Sequence, residues 1–104
     1  MIYSTTETIP GREIAETKGV VTGNVVQSKH IGRDFMAGLK SIVGGEIRGY
    51  TEMMTEARNI AIQRMVEDAA NLGADAVVGI RFTTSSIVDG SSEILAFGTA
   101  VKLV

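Results

Sequence analysis

Two extended stretches near the C-terminus constrain the fold more than any other feature of the chain. Residues 74–86 include the apolar run 76–80, and residues 93–104 carry apolar side chains at both even and odd positions. Because side chains alternate between the faces of a strand, both stretches are predicted strands that bury both faces. The intervening dipeptide Asp89-Gly90 is typical of tight turns, so the sequence predicts a long antiparallel hairpin.

The predicted hairpin is longer than the domain that carries it. Its strands span about 43 Å when extended, whereas a compact domain of about 100 residues is about 34 Å across. The hairpin should therefore project beyond its own domain. Projecting strands that are apolar on both faces aggregate unless another copy covers them, and a closed symmetric ring is the usual solution. We expect a homo-oligomer.

Two further extended stretches are predicted in the first 30 residues. Residues 2–6 are β-prone and are followed by Pro10-Gly11, which predicts a short edge strand and a turn. Residues 13–29 are rich in β-branched residues but are interrupted by Gly19 and Gly23. This pattern is compatible with two short strands or with one long bulged strand.

A short helix is predicted after residue 31. Apolar side chains recur there at steps of three and four residues, and a Gly-Gly pair follows that is typical of a helix end; the residues are Phe35, Leu39, Ile42, Val43, Gly44 and Gly45. Gly38 inside this segment suggests that a neighbouring element packs closely against it.

A long helix is predicted over residues 51–72, with Thr51 as its N-cap. One line along it is apolar and is the predicted core contact: Met54, Ala57, Ala61, Met65 and Leu72. Apolar residues also flank this line on both sides: Met53, Ile60, Ile62, Val66 and Ala70. The resulting arc is wider than the roughly 100° that one sheet covers. Part of the helix therefore needs a second partner.

Composition limits the classes of function. The chain has 104 residues, 44% of them hydrophobic, no Cys and a formal net charge of −2. It fits one domain, residues 1–104, with a single core. The balanced charge argues against a nucleic-acid partner or an anionic membrane surface. The N-terminus lacks the pattern of a secretory signal, and no apolar run is long enough to span a membrane, so we expect a cytoplasmic protein.

Six short segments stand in a specific order and spacing along nearly the whole chain. They are Gly19-Val20-Val21-Thr22-Gly23, Arg33-Asp34-Phe35 with Ala37-Gly38, Ile42-Val43-Gly44-Gly45, Ala57-Arg58 with Ala61, Leu72-Gly73-Ala74-Asp75-Ala76-Val77-Val78-Gly79, and Gly98-Thr99-Ala100-Val101. Together they resemble the YbjQ-like family of small bacterial proteins. The resemblance implies an α+β subunit of two layers, with a bent antiparallel sheet packed on one long helix in β-α-β-β order, assembled as a pentamer. This fold resembles that of dodecin subunits.

The YbjQ-like family is often labelled as heavy-metal-binding, and soft metals prefer thiolate, imidazole or thioether ligands. This chain has no Cys, one His and five Met, so a closed tetrahedral site within one chain is not expected. His30 can contribute one ligand per subunit around a symmetry axis, with Asp34 four residues later. The favoured alternative is that His30 is exposed at a helix start while Asp34 caps the helix or pairs with Arg33 or Lys29.

Arg58 is the most informative charged residue of the predicted long helix, because it lies about 40° from the apolar core line. A charge at the edge of a buried face needs a partner, and the candidates are Asp75, Glu46 or an acidic group of a neighbouring subunit. We favour an ion-paired interface anchor over an anion-binding role. If a ligand binds, we expect it between subunits where Arg58, Tyr50 and the Gly44-Gly45 turn converge, since glycines let a main-chain amide approach an oxyanion.

Catalysis has little support in the sequence. The single His, His30, is far along the chain from the serines of the hairpin, and no phosphate-binding glycine loop is present. The sequence therefore favours a non-enzymatic homo-oligomer, with no cofactor assigned. The alternative is a metal- or small-ligand-binding module whose site lies at the subunit interface, and an enzyme with a composite intersubunit site ranks third.

Overall fold

The computed structural model describes residues 1–28, 42–43, 46–87 and 90–104 of the chain. Its elements are, in chain order, strands and one helix: β1 Ile2–Tyr3, β2 Ile14–Ser28, β3 Ile42–Val43, β4 Glu46–Ile47, α1 Arg48–Asn71, β5 Ala76–Ser86 and β6 Ser91–Leu103. A four-stranded mixed sheet packs on α1. This arrangement confirms the predicted α+β class with one long helix on a sheet.

The four-stranded sheet has the strand order β1-β5-β6-β2. β6 pairs antiparallel with β5, as predicted for the hairpin, and its other side pairs antiparallel with β2. β1 is the short edge strand that was expected, and it adds to β5 in parallel, with Ile2 opposite Ala76. A parallel pair needs a long connection, which the chain between β1 and β5, including α1, provides. The sheet is thus antiparallel across its three long strands and parallel at this edge.

β2 is one long strand with two irregularities, which decides between the two predicted alternatives. Its register against β6 shifts between Ile14 and Glu16 and again between Thr17 and Gly19. Gly19 has a φ of 132°, a conformation that other residues rarely adopt. From Val20 to Ser28 the pairing with β6 is continuous.

The predicted short helix is wrong for Ile42 and Val43, which form β3 and pair with β4; Ile42 lies opposite Ile47. Apolar spacing along one segment does not reveal a strand partner, although the β-branched Ile42 and Val43 favour a strand over a helix. The rest of that prediction, residues 31–41 and Gly44-Gly45, lies outside the described residues. α1 begins at Arg48, before the predicted cap Thr51, because β4 leads directly into the helix.

The helix lies mainly over β2 and β6. Its contact line consists of small residues and one methionine, all fully buried: Ala57, Ala61, Met65 and Ala69. Across from it, Gly23 in β2 has no side chain, and a Cβ there would collide with the main chain of Ala61 and Met65. The helix therefore approaches the strand more closely than any larger residue would allow. Leu72, predicted on this line, is exposed because α1 ends at Asn71, and Ala69 takes its place.

The strand β5 has two unlike halves that meet at a bulge. Residues 76–78 and Ile80 are buried, whereas every residue from Arg81 to Ser86 is exposed. Between the halves the register against β6 shifts by one residue, and Gly79 has a positive φ of 63°. The radius of gyration is 16.6 Å and the longest dimension is 51 Å, against a radius of about 13 Å for a compact chain of this length. The exposed outer half of β5 and the extended overall dimensions agree with the predicted projecting hairpin.

Candidate functional site

An apolar groove runs between α1 and the β1–β5 side of the sheet. Two adjoining depressions of about 340 Å³ and 220 Å³ form it, and both are lined by Tyr3 and Ile62. The remaining lining residues are Asn59, Gln63 and Val66 in the first, and Ser4, Thr5, Ile80 and Phe82 in the second. We call this feature the helix–edge groove. It exists because α1 covers β2 and β6 and leaves the helix-facing side chains of β1 and outer β5 uncovered.

The groove exposes large apolar side chains to solvent. Tyr3 is 52% exposed and Phe82 is 42% exposed, while Ile62 and Val66 of the helix are half-buried. Both helix residues belong to the flank of the apolar arc that was predicted to need a second partner. Within the described part of one chain nothing covers them completely, and that a second partner covers them stays a prediction. A contiguous exposed apolar surface of this kind is typical of an interaction site.

Residues 3–5 form one wall of the groove, which we call the N-terminal wall, and main-chain hydrogen bonds to β5 hold it in place. Ser4 donates its N–H to Val77 O at 3.0 Å and accepts from Ile80 N at 3.1 Å. Arg81 donates through Nη1 to Thr5 O at 2.9 Å, which fixes the end of this wall. Tyr3 is therefore placed by backbone pairing, and the groove is formed within the single chain. None of its described lining residues is charged, so this part of the groove suits an apolar or uncharged polar surface.

The outer half of β5 presents an unpaired sheet edge next to this groove. Thr22 N and Asn24 O on β2 point away from β6, because both bond to side chains of α1. Main-chain groups alternate in direction, so the β6 partners of Thr22 and Asn24, Phe97 and Leu95, direct theirs toward β5.

Phe97 and Leu95 lie opposite Arg81 and Thr83 of β5, so the alternate residues Phe82, Thr84 and Ser86 direct their N–H and C=O groups outward. In the described part of the chain no strand pairs with them. We call these three residues the open β5 edge. Phe82 belongs to both the edge and the groove, so the two features form one continuous surface.

Arg58 and Tyr50 lie on the first three turns of α1, about 12 Å apart along the helix axis. Arg58 is exposed and donates through Nη2 to Thr55 Oγ1 at 3.2 Å, and Tyr50 is half-buried. The interface role of Arg58 stays a prediction, because it concerns a neighbouring subunit. Glu46 lies in β4, immediately before the helix.

Asp75 is not a partner of Arg58 within one chain, so that alternative is wrong there. It follows α1, and about 20 Å of helix separates Arg58 from the helix end. Leu103 N donates to Asp75 Oδ2 at 2.8 Å, and Lys102 Nζ lies 3.3 Å from Oδ1. The Leu103 hydrogen bond, followed by the one from Lys102, holds the pKa of Asp75 below its ordinary value. Asp75 therefore ties the helix exit to the end of β6.

The predicted metal ligands His30 and Asp34 lie outside the described residues, as does the Gly44-Gly45 turn. Among the residues that are described, no three His, Cys, Asp or Glu side chains lie together in a way that could hold a metal ion. The same part of the chain contains no helix with the length and hydropathy needed to cross a membrane.

Sequence reasoning identified the helix side of the groove but missed Tyr3 and Phe82. The available signal was the alternation of Ile80 and Phe82, which places both on one face of a strand. It could not show that α1 leaves that face open, since this depends on which strands the helix covers.

Comparison with known proteins gives consistent relatives. The chain is 97% identical to a UPF0145 protein of Vibrio campbellii over 100% of both chains. It is 61% identical to a UPF0145 protein of Thermotoga maritima, over 99% of this chain and 97% of that protein. A crystal structure from Pediococcus pentosaceus, described as a protein with unknown function of the DUF74 family, has the same fold. Its TM-score is 0.67 at 19% identity, covering 100% of this chain and 98% of that one.

The sequence profile of one family matches residues 1–104 in full, and its description reads "Putative heavy-metal-binding". This match agrees with the helix on a mixed sheet and with the six segments that resembled the family. The chain belongs to the YbjQ-like family.

Proposed function

We propose that this protein works as a non-enzymatic homo-oligomeric ring in which a second copy covers the helix–edge groove and the open β5 edge. The observation that carries the proposal is the continuity of the two features at Phe82. An unpaired strand edge beside an exposed apolar groove is a template for association. Five copies is the number that the family resemblance implies.

A second exposed apolar surface supports a ring rather than a closed pair. Val20 is 75% exposed and Val26 is 56% exposed, and both lie on β2, at the opposite edge of the sheet from the groove. Their side chains point away from α1, since Val21 and Val25 between them face the core. A contact between two different surfaces is head-to-tail, and head-to-tail contacts close into rings when the rotation per copy fits.

The test is the mass of the protein in solution at low micromolar concentration, by analytical ultracentrifugation and native mass spectrometry. We expect a wild-type assembly of several 11.0 kDa chains. Ile62→Asp should shift it to folded single chains, because the charge would have to be buried against the second copy. Asn71→Asp is the matched control, since it adds the same charge to α1 outside the groove. A stably folded wild-type monomer would refute the proposal.

A second candidate function is a metal- or small-ligand-binding module with its site between subunits. The family description favours it, and His30 and Asp34, or Arg58 and Tyr50, are the residues we assign to such a site. Calorimetric titration with Zn(II), Cu(II) and Ni(II) is expected to give saturable heat that His30→Ala abolishes if the metal version holds. Absence of saturable heat with all three ions, and of any stoichiometric ligand in native mass spectra, would remove this candidate.

A further inference from the structure

The opposite edge of the sheet, along β2, is occupied by two charged side chains of α1. Thr22 donates its N–H to Asp68 Oδ2 at 3.3 Å. Arg64 donates through Nη1 to the main-chain oxygen of Asn24 at 2.7 Å. Arg64 and Asp68 are four residues apart, and they therefore lie on the same side of the helix. Together they bind an outward N–H and an outward C=O of the strand edge.

The closeness of the helix explains why these side chains reach the strand. Thr22 and Asn24 flank Gly23, the residue whose missing side chain lets the main chain of α1 lie against β2. A Cβ on Gly23 would also approach Cβ of Arg64 to 3.0 Å. A larger residue at position 23 would displace the helix and carry both charged groups away from the strand edge.

The part of β2 before Val20 is irregular. Both register shifts against β6 fall there, and Gly19 has a φ of 132°. Bulges twist an edge strand away from the geometry that a further strand needs. Only the regular segment 20–28 could therefore accept a strand, and Arg64 and Asp68 occupy the middle of it.

We propose that Arg64 and Asp68 form an edge guard that excludes a strand of a second copy from β2. A strand adding to this edge would have to break two hydrogen bonds to charged groups and replace them with neutral ones, which are weaker. It would also have to displace both charged side chains or bury them without partners. The open β5 edge carries no such pair among the described residues. The guard stands on its own contacts, whereas its consequence, that strands of two copies pair only at the β5 edge, rests on the proposed function.

The test combines solution mass with amide hydrogen exchange in the full-length chain. In Arg64→Ala/Asp68→Ala we expect species larger than the wild-type assembly, increasing with concentration, because the β2 edge becomes a second site of strand addition. In Asp68→Ala, measured at a concentration where the wild-type mass is retained, the Thr22 amide should exchange about tenfold faster than in the wild type. Glu67→Ala, the exposed neighbour of Asp68, should change neither measurement.

Two further variants separate a guard from a merely structural contact. Arg64→Asp/Asp68→Arg keeps the composition and net charge but places an acceptor where a donor is needed, so it should enlarge the assembly as the double alanine variant does. Arg64→Lys/Asp68→Glu keeps donor and acceptor and should retain the wild-type mass. Folded double alanine and charge-swapped variants that keep the wild-type mass at every concentration would overturn the guard. If the wild type is a monomer, the proposed function fails, and the guard is still judged by whether opening β2 causes association.

Discussion

The helix α1 contacts the two edges of the sheet differently. On the β2 side, α1 lies close enough for small residues to touch the strand and for Arg64 and Asp68 to bind its outward main-chain groups. On the β5 side, the helix leaves a groove, and Phe82 lies exposed at a strand edge with which none of the described strands pairs. The difference teaches that the helix completes one edge within the chain, whereas it leaves the other edge open among the described residues.

The largest loss of stability is expected from a substitution on the β2 side, where α1 lies close to the strand. Gly23→Val would force the main chain of Ala61 and Met65 away from β2. We expect a loss of more than about 3 kcal/mol in the free energy of unfolding, since overpacking and the loss of both edge contacts combine. Urea denaturation at fixed protein concentration measures it. Thr22→Val, which points to the opposite face, is the control and should change stability by less than about 1 kcal/mol. If Gly23→Val and Thr22→Val lowered the free energy of unfolding equally, the close approach of α1 to Gly23 would not be important for stability.

The next effect concerns two apolar residues of α1, one packed over β2 and one in the helix–edge groove. We expect their alanine substitutions to lower the free energy of unfolding of the subunit by different amounts. Met65 is fully buried over β2, and Met65→Ala should cost about 2 to 5 kcal/mol because it leaves a cavity. Ile62 is half-buried in the groove, and Ile62→Ala should cost less within the subunit while weakening association. Thermal unfolding at several protein concentrations separates the two quantities. If Ile62→Ala destabilised the subunit as much as Met65→Ala at all concentrations, the groove would already be closed within one chain.

The smallest change in stability is expected from a substitution of Asp75. This residue joins the end of α1 to β6 and lies neither at the β2 edge nor in the helix–edge groove. Its pKa is lowered in the folded state, first by the Leu103 N–H and then by Lys102, so the folded chain holds this proton less tightly than the unfolded chain. The resulting stability is present above the unfolded pKa of about 3.9 and is lost as the pH falls through the lower folded pKa. Asp75→Asn should therefore be slightly less stable than the wild type at pH 7. The difference in stability between the two proteins should shrink as the pH falls below the unfolded pKa, and a constant difference would contradict this assignment.

Much of the fold could be predicted from local pattern. The hairpin, the long helix and the buried line through Ala57, Ala61 and Met65 follow from periodicities that a single segment carries by itself. β2 was predicted as one of two alternatives, because glycines such as Gly19 indicate an interruption without showing whether pairing resumes after it. The failures lie where pairing is non-local, as for Ile42 and Val43, whose strand partner is in β4.

The candidate site was predicted only on its helix side. Ile62 and Val66 were identified as a surplus apolar flank, since the arc was too wide for one sheet. Tyr3 could not be placed, because its position depends on a parallel pairing with β5 across more than 70 residues of sequence. Arg64 and Asp68 were missed because exposed charges four residues apart on a helix usually indicate only a solvated face.

The extra residue at Gly79 exchanges the faces of the sheet to which the following side chains of β5 point. With uninterrupted pairing after Val78, Arg81 would stand opposite Ala96, a residue of the helix-facing core, and Phe82 would turn to the other face. The inserted residue exchanges these two positions, so an aromatic ring borders the groove while the guanidinium reaches the N-terminal wall. A one-residue deletion at this point would thus invert the polarity of the surface without altering any other residue in the chain.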